Sequence, residues 1–200
     1  MELVLASGNA GKLREIAAML DGLSLTVRAQ SDFNVGSVAE TGTTFVENAI
    51  IKARHAARMS GRPALADDSG IAVDALGGAP GVFSARYAGE GASDEANLRK
   101  LLDVTAHLPD AERGCRFVCV MVAMRDADDP LPVIATGLWP GRLLHAPRGT
   151  GGFGYDPIFL VPEAGCSSAE LEPALKNRLS HRGQALRSLR ALLKQADAWR

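Results

Sequence analysis

The sequence has few cysteines, and their spacing excludes two classes of site. Cys115, Cys119 and Cys166 are an odd number and lie far apart, and no paired Cys/His spacing typical of a zinc site is present. On one face of a strand, Cys115 and Cys119 would lie roughly 13 Å apart, which is too far for a disulfide. We therefore expect core thiols in a reducing compartment.

The sequence also lacks a charge excess and a long hydrophobic run. A net charge of −1 gives no electrostatic basis for nonspecific binding of nucleic acid. The longest apolar run, Phe117–Met124, is too short to span a membrane and suits a buried strand. Met1–Leu5 lacks the basic start and apolar core of a signal peptide. We therefore expect a cytoplasmic protein that binds neither nucleic acid nor membrane.

What is present is an ordinary globular composition, with 46% hydrophobic and 22% charged residues. A chain of 200 residues is long enough for one domain that buries roughly 70% of its extended surface. We expect a single domain over residues 1–200, with two lobes that share a substrate cleft.

Two adjacent aspartates mark the most unusual stretch, Ala66–Gly70. The apolar residues before them predict a short buried strand, and Ser69 and Gly70 predict a sharp turn after it. Many α/β enzymes hold a metal over a ligand at such a strand end. Because successive strand residues face opposite ways, we expect Asp68 to point into a site and Asp67 to support it. An ordinary Asp-rich turn is the alternative.

A small glycine-rich turn, Ser7–Lys12, separates the predicted strand Glu2–Ala6 from an amphipathic helix. Such a turn exposes backbone N–H groups and a helix N-terminus, which suits phosphate, and Lys12 adds a point charge. The turn does not match a Walker A loop, because Leu13 replaces its Ser/Thr. A plain helix start capped by Asn9 is the alternative.

Two later segments have features of a ligand site. Gly149–Pro157 places four glycines in six residues before Tyr155 and an acid, and it includes Phe153. Glycines let a backbone approach a flat ligand closely, and an aromatic ring can stack on a base. Ser180–Gly183 places His181 and Arg182 at a helix start, where a cation is mildly unfavourable unless a ligand is present.

The remaining periodicity predicts an α/β protein with an elongated, mixed central sheet flanked by helices. Helices are predicted over 45–60, 94–108 and 181–199, capped by Thr43 or Thr44, by Ser93 and by Ser180. Strands are predicted over 25–29, 63–66, 71–73, 116–125, 132–139 and 158–161. The acidic stretch Asp126–Pro130 predicts an exposed hairpin tip, since it lacks the ligand spacing of a calcium loop.

These blocks run almost end to end, and jointly they resemble the inosine triphosphate pyrophosphatase family in its bacterial form. The blocks that carry the resemblance are Leu5–Lys12, Glu40–Gly42, Glu47–Ala49, Lys52–Ala53, Ala66–Gly70, Leu76–Gly81, Ser84–Tyr87, Gly151–Pro157 and Ser180–Gly183. The sequence departs from the family pattern at Pro173–Leu175, where acidic residues are usual.

The resemblance implies hydrolysis of the noncanonical purine nucleoside triphosphates ITP, dITP and XTP to the monophosphate and pyrophosphate. Such a reaction cleanses the nucleotide pool and keeps these bases out of DNA and RNA. The resemblance also implies Mg²⁺ dependence and a homodimer.

The site residues that the resemblance implies fall into three groups. The triphosphate group comprises Ser7, Gly8, Asn9, Ala10, Gly11, Lys12 and Lys52, with Ser69 also touching substrate. The metal group comprises Glu40 and Asp68, and Asp68 is the expected proton acceptor for the attacking water. The base pocket comprises Phe153, Gly154, Tyr155, Asp156, Lys176, His181 and Arg182.

Hydrogen bonding gives a physical reason for the expected base preference. Hypoxanthine and xanthine present a 6-oxo acceptor, whereas adenine presents a 6-amino donor. Donors such as those of Arg182 would pair with the oxo group, and an unpaired buried polar group costs about 1–3 kcal/mol.

Two alternative functions stay open beside this pyrophosphatase: a related pyrophosphatase for pyrimidine or methylated nucleotides, and a catalytically silent nucleotide-binding module.

Overall fold

The computed structural model describes residues 1–7, 13, 16–18, 20–196 and 199, and a seven-stranded sheet runs through them. Its strands are β1 Glu2–Leu5, β2 Thr26–Ala29, β3 Ala64–Val73, β4 Gly114–Met124, β5 Val133–Leu143, β6 Phe159–Val161 and β7 Cys166–Ser167. The strand order is β2-β1-β3-β4-β5-β6-β7. β1 pairs in parallel with β2 and β3, whereas β6 pairs antiparallel with β5 and β7. The predicted α/β class with a mixed sheet is confirmed.

Among the described residues, side-chain caps begin three of the four main helices where the sequence predicted them. The four helices are α1 Phe45–Ser60, α2 Asp94–Val104, α3 Pro173–Leu179 and α4 His181–Gln195, and the three with caps are α1, α2 and α4. Thr44 and Glu47 form a capping box at α1, and Ser93 accepts a bond from the first turn of α2. Ser180 Oγ accepts from Gly183 N at the start of α4. Two predicted ends were too late, because α2 stops at Val104 and α4 at Gln195.

The chain divides into two compact units, and the first comprises Met1–Asp68, Cys119–Gly137 and Gln184–Arg200. Its part of the sheet has apolar side chains on both faces. Leu3 and Leu5 of β1 pack in one cluster with residues of α4, whereas Val4 packs in another with residues of α1. Alternation along the strand therefore gives each helix its own face of the sheet.

The second unit comprises Ser69–Val118 and Leu138–Gly183 and has an aromatic core. The ring centroids of Phe117 and Phe159 lie 4.4 Å apart, and Trp139 lies 5.0 Å from Phe159. Residues of α2 complete this cluster.

The predicted sharp turn at Ala66–Gly70 is wrong. β3 continues from Ala64 to Val73, and both aspartates lie inside it. Gly70 permits a close approach instead of a turn, since a Cβ there would collide with Ser84 Oγ and lie 2.6 Å from the Gly81 carbonyl oxygen.

The acidic connection between β4 and β5 is also less exposed than predicted. Asp129 is only 3% exposed and accepts from the backbone N–H groups of Arg125 and Leu131, both at 3.0 Å. The guanidinium of Arg125 donates to both carboxylate oxygens of Asp129. These bonds hold the pKa of Asp129 far below its usual range, with the Arg125 side chain the main cause.

Among the described residues, no helix has the length and apolarity of a membrane span.

Candidate functional site

Three charged side chains of the first unit meet at β3. Lys52, in the middle of α1, donates from Nζ to Oδ1 of Asp68 at 2.8 Å. The same ammonium pairs with Oε1 of Glu40 at 2.9 Å. The Asp68 side chain is 9% exposed, so this ion pair is largely shielded from water. The structure thus brings together Lys52 and the two residues of the expected metal group, Glu40 and Asp68.

One ammonium therefore serves two carboxylates, with a third carboxylate, Asp67, adjacent. Burial raises the pKa of Asp68, and the charges of Glu40 and Asp67 add to that effect, while Lys52 partly opposes it. Burial alone would lower the pKa of Lys52, but the charges and hydrogen bonds of Asp68 and Glu40 outweigh it and raise that pKa. The site therefore keeps its lysine charged and carries an excess of negative charge, a setting that favours a bound cation.

The sequence pattern indicated no role for Asn48, although this residue holds the segment that carries Glu40. Its side chain is fully buried, and its Oδ1 accepts from Gly42 N at 2.8 Å. Glu47 fixes Thr43 and Thr44, which follow Gly42, because its carboxylate accepts from their backbone N–H groups. An amide on the inward face of a helix otherwise lined by alanines is the signal that sequence reasoning missed.

The residues at β3 fit a hard divalent cation. Oδ2 of Asp68 is buried and has no hydrogen-bond partner among the residues that the structure describes. An ionised oxygen in that state is costly unless a ligand satisfies it. Nowhere in the part of the chain that the structure describes do three or more acidic, histidine or cysteine side chains form a group that could hold a metal. Mg²⁺ needs no such cage, because it takes one or two carboxylates and completes its shell with water and phosphate oxygens.

Only part of the predicted phosphate turn lies within the described residues. Gly8, Asn9, Ala10, Gly11 and Lys12 lie outside them. Ser7 is described and follows the carboxyl end of β1, where Leu5 pairs with Leu65 of β3. This is the end at which parallel strands present ligand-binding residues. Ser69 directly follows Asp68 in β3.

A second cluster, in the second unit, is organised by Asp156. This carboxylate is 4% exposed; its Oδ1 accepts from Ser168 Oγ at 2.6 Å, and its Oδ2 accepts from Phe153 N at 2.8 Å. Nζ of Lys176 also donates to Oδ2. Gly152 has φ +76°, and a Cβ there would collide with the Asp156 carboxylate and the Lys176 ammonium. One carboxylate thus fixes the loop backbone and a lysine together.

Phe153 is 58% exposed, and two cations lie over its ring. Nζ of Lys176 lies 5.7 Å from the ring centroid, and the guanidinium carbon of Arg182 lies 5.4 Å from it. Arg182 is buried and not surface-exposed, and His181 stacks on Phe117 with centroids 4.7 Å apart. An exposed aromatic ring with two cationic donors over it suits a planar base with acceptor atoms.

Two predicted pocket residues are held by other parts of the second unit. Tyr155 is buried in the aromatic core and donates its hydroxyl to the Ser84 carbonyl at 2.8 Å. Gly154 donates its N–H to Oδ2 of Asp94 at 2.9 Å. The exposed ring available for stacking is therefore that of Phe153, and Tyr155 fixes the loop that carries it.

Comparison with known proteins identifies the family. The model of the Ham1 family matches residues 3–192. The chain belongs to the Ham1 family. A curated relative in Vibrio parahaemolyticus, named dITP/XTP pyrophosphatase, is 60% identical over 197 residues, which cover 98% of each chain.

Solved Ham1 structures share the fold. A HAM1 protein from Coxiella burnetii has a TM-score of 0.94 and 50% identity, with 98% of this chain and 100% of that chain covered. The nucleoside-triphosphatase or dITP/XTP pyrophosphatase of Mycobacterium abscessus has a TM-score of 0.81 and 39% identity, with 94% and 98% covered. The resemblance inferred from the sequence blocks is confirmed at the level of the family.

Proposed function

We propose that this Ham1 protein hydrolyses noncanonical purine nucleoside triphosphates, namely ITP, dITP and XTP, to the nucleoside monophosphate and pyrophosphate. Relatives at about 60% identity over nearly the whole chain carry the name dITP/XTP pyrophosphatase. The observation that carries the chemistry is Asp68, a buried carboxylate whose Oδ2 has no partner among the described residues.

Lys52 gives Asp68 its orientation in this proposal. An ammonium has three protons to donate, and Asp68 Oδ1 and Glu40 Oε1 take two of them. The third proton can then go to a phosphate oxygen of the substrate. Because Lys52 holds Oδ1, Oδ2 is the oxygen that Asp68 presents to its ligands, and Asp68 is the proposed acceptor of the proton of the attacking water. That water attacks the α-phosphorus, and the bond to the pyrophosphate leaving group breaks.

Glu40 and Asp68 are the residues that would hold Mg²⁺. When bound there, the ion supplies neutralisation of polyphosphate charge. Asn48, through the Gly42 backbone, keeps Glu40 within reach of Lys52. Ser7 and the turn Gly8–Lys12 are proposed as additional phosphate donors, as the sequence predicts.

The base would stack on Phe153 in this proposal. Lys176 and Arg182 lie within 6 Å of the ring centroid and carry only donors. Such donors pair with the 6-oxo acceptor of hypoxanthine or xanthine and face a 6-amino donor in adenine. Sites built on bonds of this kind discriminate strongly, because the wrong base leaves buried groups unpaired.

One assay tests the proposal. The purified protein is incubated with ITP, XTP, dTTP and ATP, with and without Mg²⁺, and pyrophosphate and phosphate are measured separately. We expect pyrophosphate from ITP and XTP, far less from dTTP and ATP, and none without the metal. Release of phosphate instead, a preference for dTTP, or no turnover would contradict the proposal and favour one of the two alternatives. The homodimer and the cytoplasmic location stay predictions.

A further inference from the structure

We propose that Ser168 is a specificity-determining positioning residue, which sets Lys176 through Asp156 so that its ammonium favours a 6-oxo base. This inference rests on the proposed function, since it concerns the base pocket of the same site. No sequence block that carried the family resemblance includes Ser168.

A continuous chain of hydrogen bonds connects the serine to the lysine. Ser168 Oγ donates to Oδ1 of Asp156 at 2.6 Å, and Oδ2 of Asp156 accepts from Lys176. Ser168 is 1% exposed and Asp156 is 4% exposed, so water does not substitute readily for either partner. The hydroxyl therefore fixes how the carboxylate is rotated, and the rotation fixes where Oδ2 meets the ammonium.

In this proposal, Asp156 accepts hydrogen bonds from protein groups and does not bind the base. Three protein donors approach its two oxygens: the Ser168 hydroxyl, the Phe153 N–H and the Lys176 ammonium. Oδ2 thus holds both the backbone of Phe153, the stacking residue, and the Lys176 ammonium that lies over its ring. A rotation of this carboxylate would displace the ammonium relative to the ring on which the base stacks.

The position of the ammonium matters because lysine offers donors and no acceptor. With one proton on Asp156, the others are available to a base on Phe153, whose ring centroid lies 5.7 Å from Nζ. A 6-oxo group accepts such a proton, and a 6-amino group does not. A lysine held in one place therefore favours binding of the 6-oxo base only. A loosely held lysine could move away from a 6-amino group, and the preference between the two bases would then be smaller.

The neighbouring serine provides a matched control. Ser167 is also buried and also donates its hydroxyl at 2.6 Å, but it donates to the Arg148 carbonyl and not to Asp156. Ser167→Ala and Ser168→Ala therefore remove the same atom from adjacent buried positions. Only the second change breaks the chain to Lys176.

The test measures equilibrium dissociation constants of ITP and ATP by calorimetry in EDTA, so that turnover does not interfere. We expect Ser168→Ala to reduce the preference for ITP over ATP by about fivefold or more, through weaker ITP binding. In turnover assays with Mg²⁺, the same variant should raise KM for ITP while kcat changes less. Ser167→Ala should keep the wild-type preference within about twofold, even if it lowers the melting temperature.

Two results would overturn the inference. One is an ITP/ATP preference in Ser168→Ala that stays within twofold of the wild type, and the other is an equal loss in Ser167→Ala. If Ser168→Ala does not fold, Ser168→Cys takes its place, because a thiol of similar size is only a weak donor. Wild-type protein that binds ITP selectively but releases no pyrophosphate would refute the proposed function and leave this inference standing.

Discussion

Lys52–Asp68 lies in the first unit and Lys176–Asp156 in the second, and the two ion pairs differ in what surrounds the carboxylate. Asp68 has Lys52 on one oxygen, other carboxylates nearby and no partner for Oδ2 among the described residues. Asp156 has a serine hydroxyl, a backbone N–H and an ammonium on its two oxygens. We call the first the open pair and the second the closed pair.

The difference shows how one pair of residue types serves two purposes. A buried carboxylate with an unused oxygen is destabilising by itself, so the open pair is suited to a ligand that completes it. A satisfied carboxylate instead stabilises the fold and fixes its neighbours. The open pair should therefore matter for activity more than for folding, and the closed pair should show the reverse balance.

The largest expected effect comes from Asp68→Asn in the open pair. Asparagine cannot accept the proton of the attacking water, so turnover of ITP should fall at least about 1000-fold. The free energy of unfolding should change by less than about 1 kcal/mol, because burial already disfavours the charge that is removed and Lys52 keeps Glu40 as a partner. Pyrophosphate release and urea unfolding at pH 7 measure the two quantities.

Activity and stability of Asp68→Asn can each contradict the prediction. Retained activity would remove Asp68 from its proposed role. A large loss of stability together with activity would mean that the open pair is structural, and the contrast between the pairs would disappear.

Lys52→Met should have the next largest effect. It leaves Asp68 and Glu40 without their shared cation and removes a phosphate donor, so kcat/KM for ITP should fall about 100-fold. Lys100→Met on α2 is the control, because Lys100 is also a helical lysine but is exposed. Equal activity of the two variants would show that Lys52 neither orients Asp68 nor meets the substrate.

Much of the fold follows from local sequence signals. The caps at Thr44, Ser93 and Ser180 are short-range patterns, and the helices they begin were predicted at the right residues. The break predicted at Gly70 was wrong, because a glycine is required there by the close approach of Ser84, which is distant in sequence, and not by a turn of its own segment. A pattern in one stretch carries no information about such an approach.

The site shows the same limit. Lys52 and Asp68 were both expected at the site, but the ion pair between them was not predicted. Asn48 and Ser168 were not predicted, because each acts through one hydrogen bond to a residue that is itself only a support. Family resemblance supplied the base pocket, but it did not show that Asp156 is surrounded by protein donors.

Asp156→Asn tests the closed pair. The amide is neutral, and its NH₂ group would face an ammonium, a hydroxyl or an N–H group that now donates to a carboxylate. The free energy of unfolding should therefore fall by about 2 kcal/mol, which is more than for Asp68→Asn. Asp103→Asn on the exposed side of α2 is the control for the charge change. Wild-type stability in Asp156→Asn would show that the pair is not closed.

Asp129 offers a satisfied carboxylate in the first unit that is not a predicted site residue, and so it sharpens the comparison. Asp129→Ala should lower the free energy of unfolding at pH 7 by about 1–2 kcal/mol, because it leaves the N–H groups of Arg125 and Leu131 unpaired. Part of the loss is recovered by water around the half-exposed Arg125 side chain. Asp128→Ala, at an exposed residue of the same turn, should change little.

The pH dependence of that loss has a definite sign. The pKa of Asp129 in the folded protein lies below its unfolded value of about 4, so its stabilisation is complete above that pH and declines as the pH falls further. The gap between wild type and Asp129→Ala, measured by urea unfolding, should therefore narrow on acidification below pH 4. For Asp68 the pKa is raised instead, and protonation should relieve the folded state. A gap at Asp129 that stays constant into strong acid would mean that packing and not charge makes this carboxylate stabilising, and hydrogen-bond satisfaction would then no longer separate the two kinds of pair.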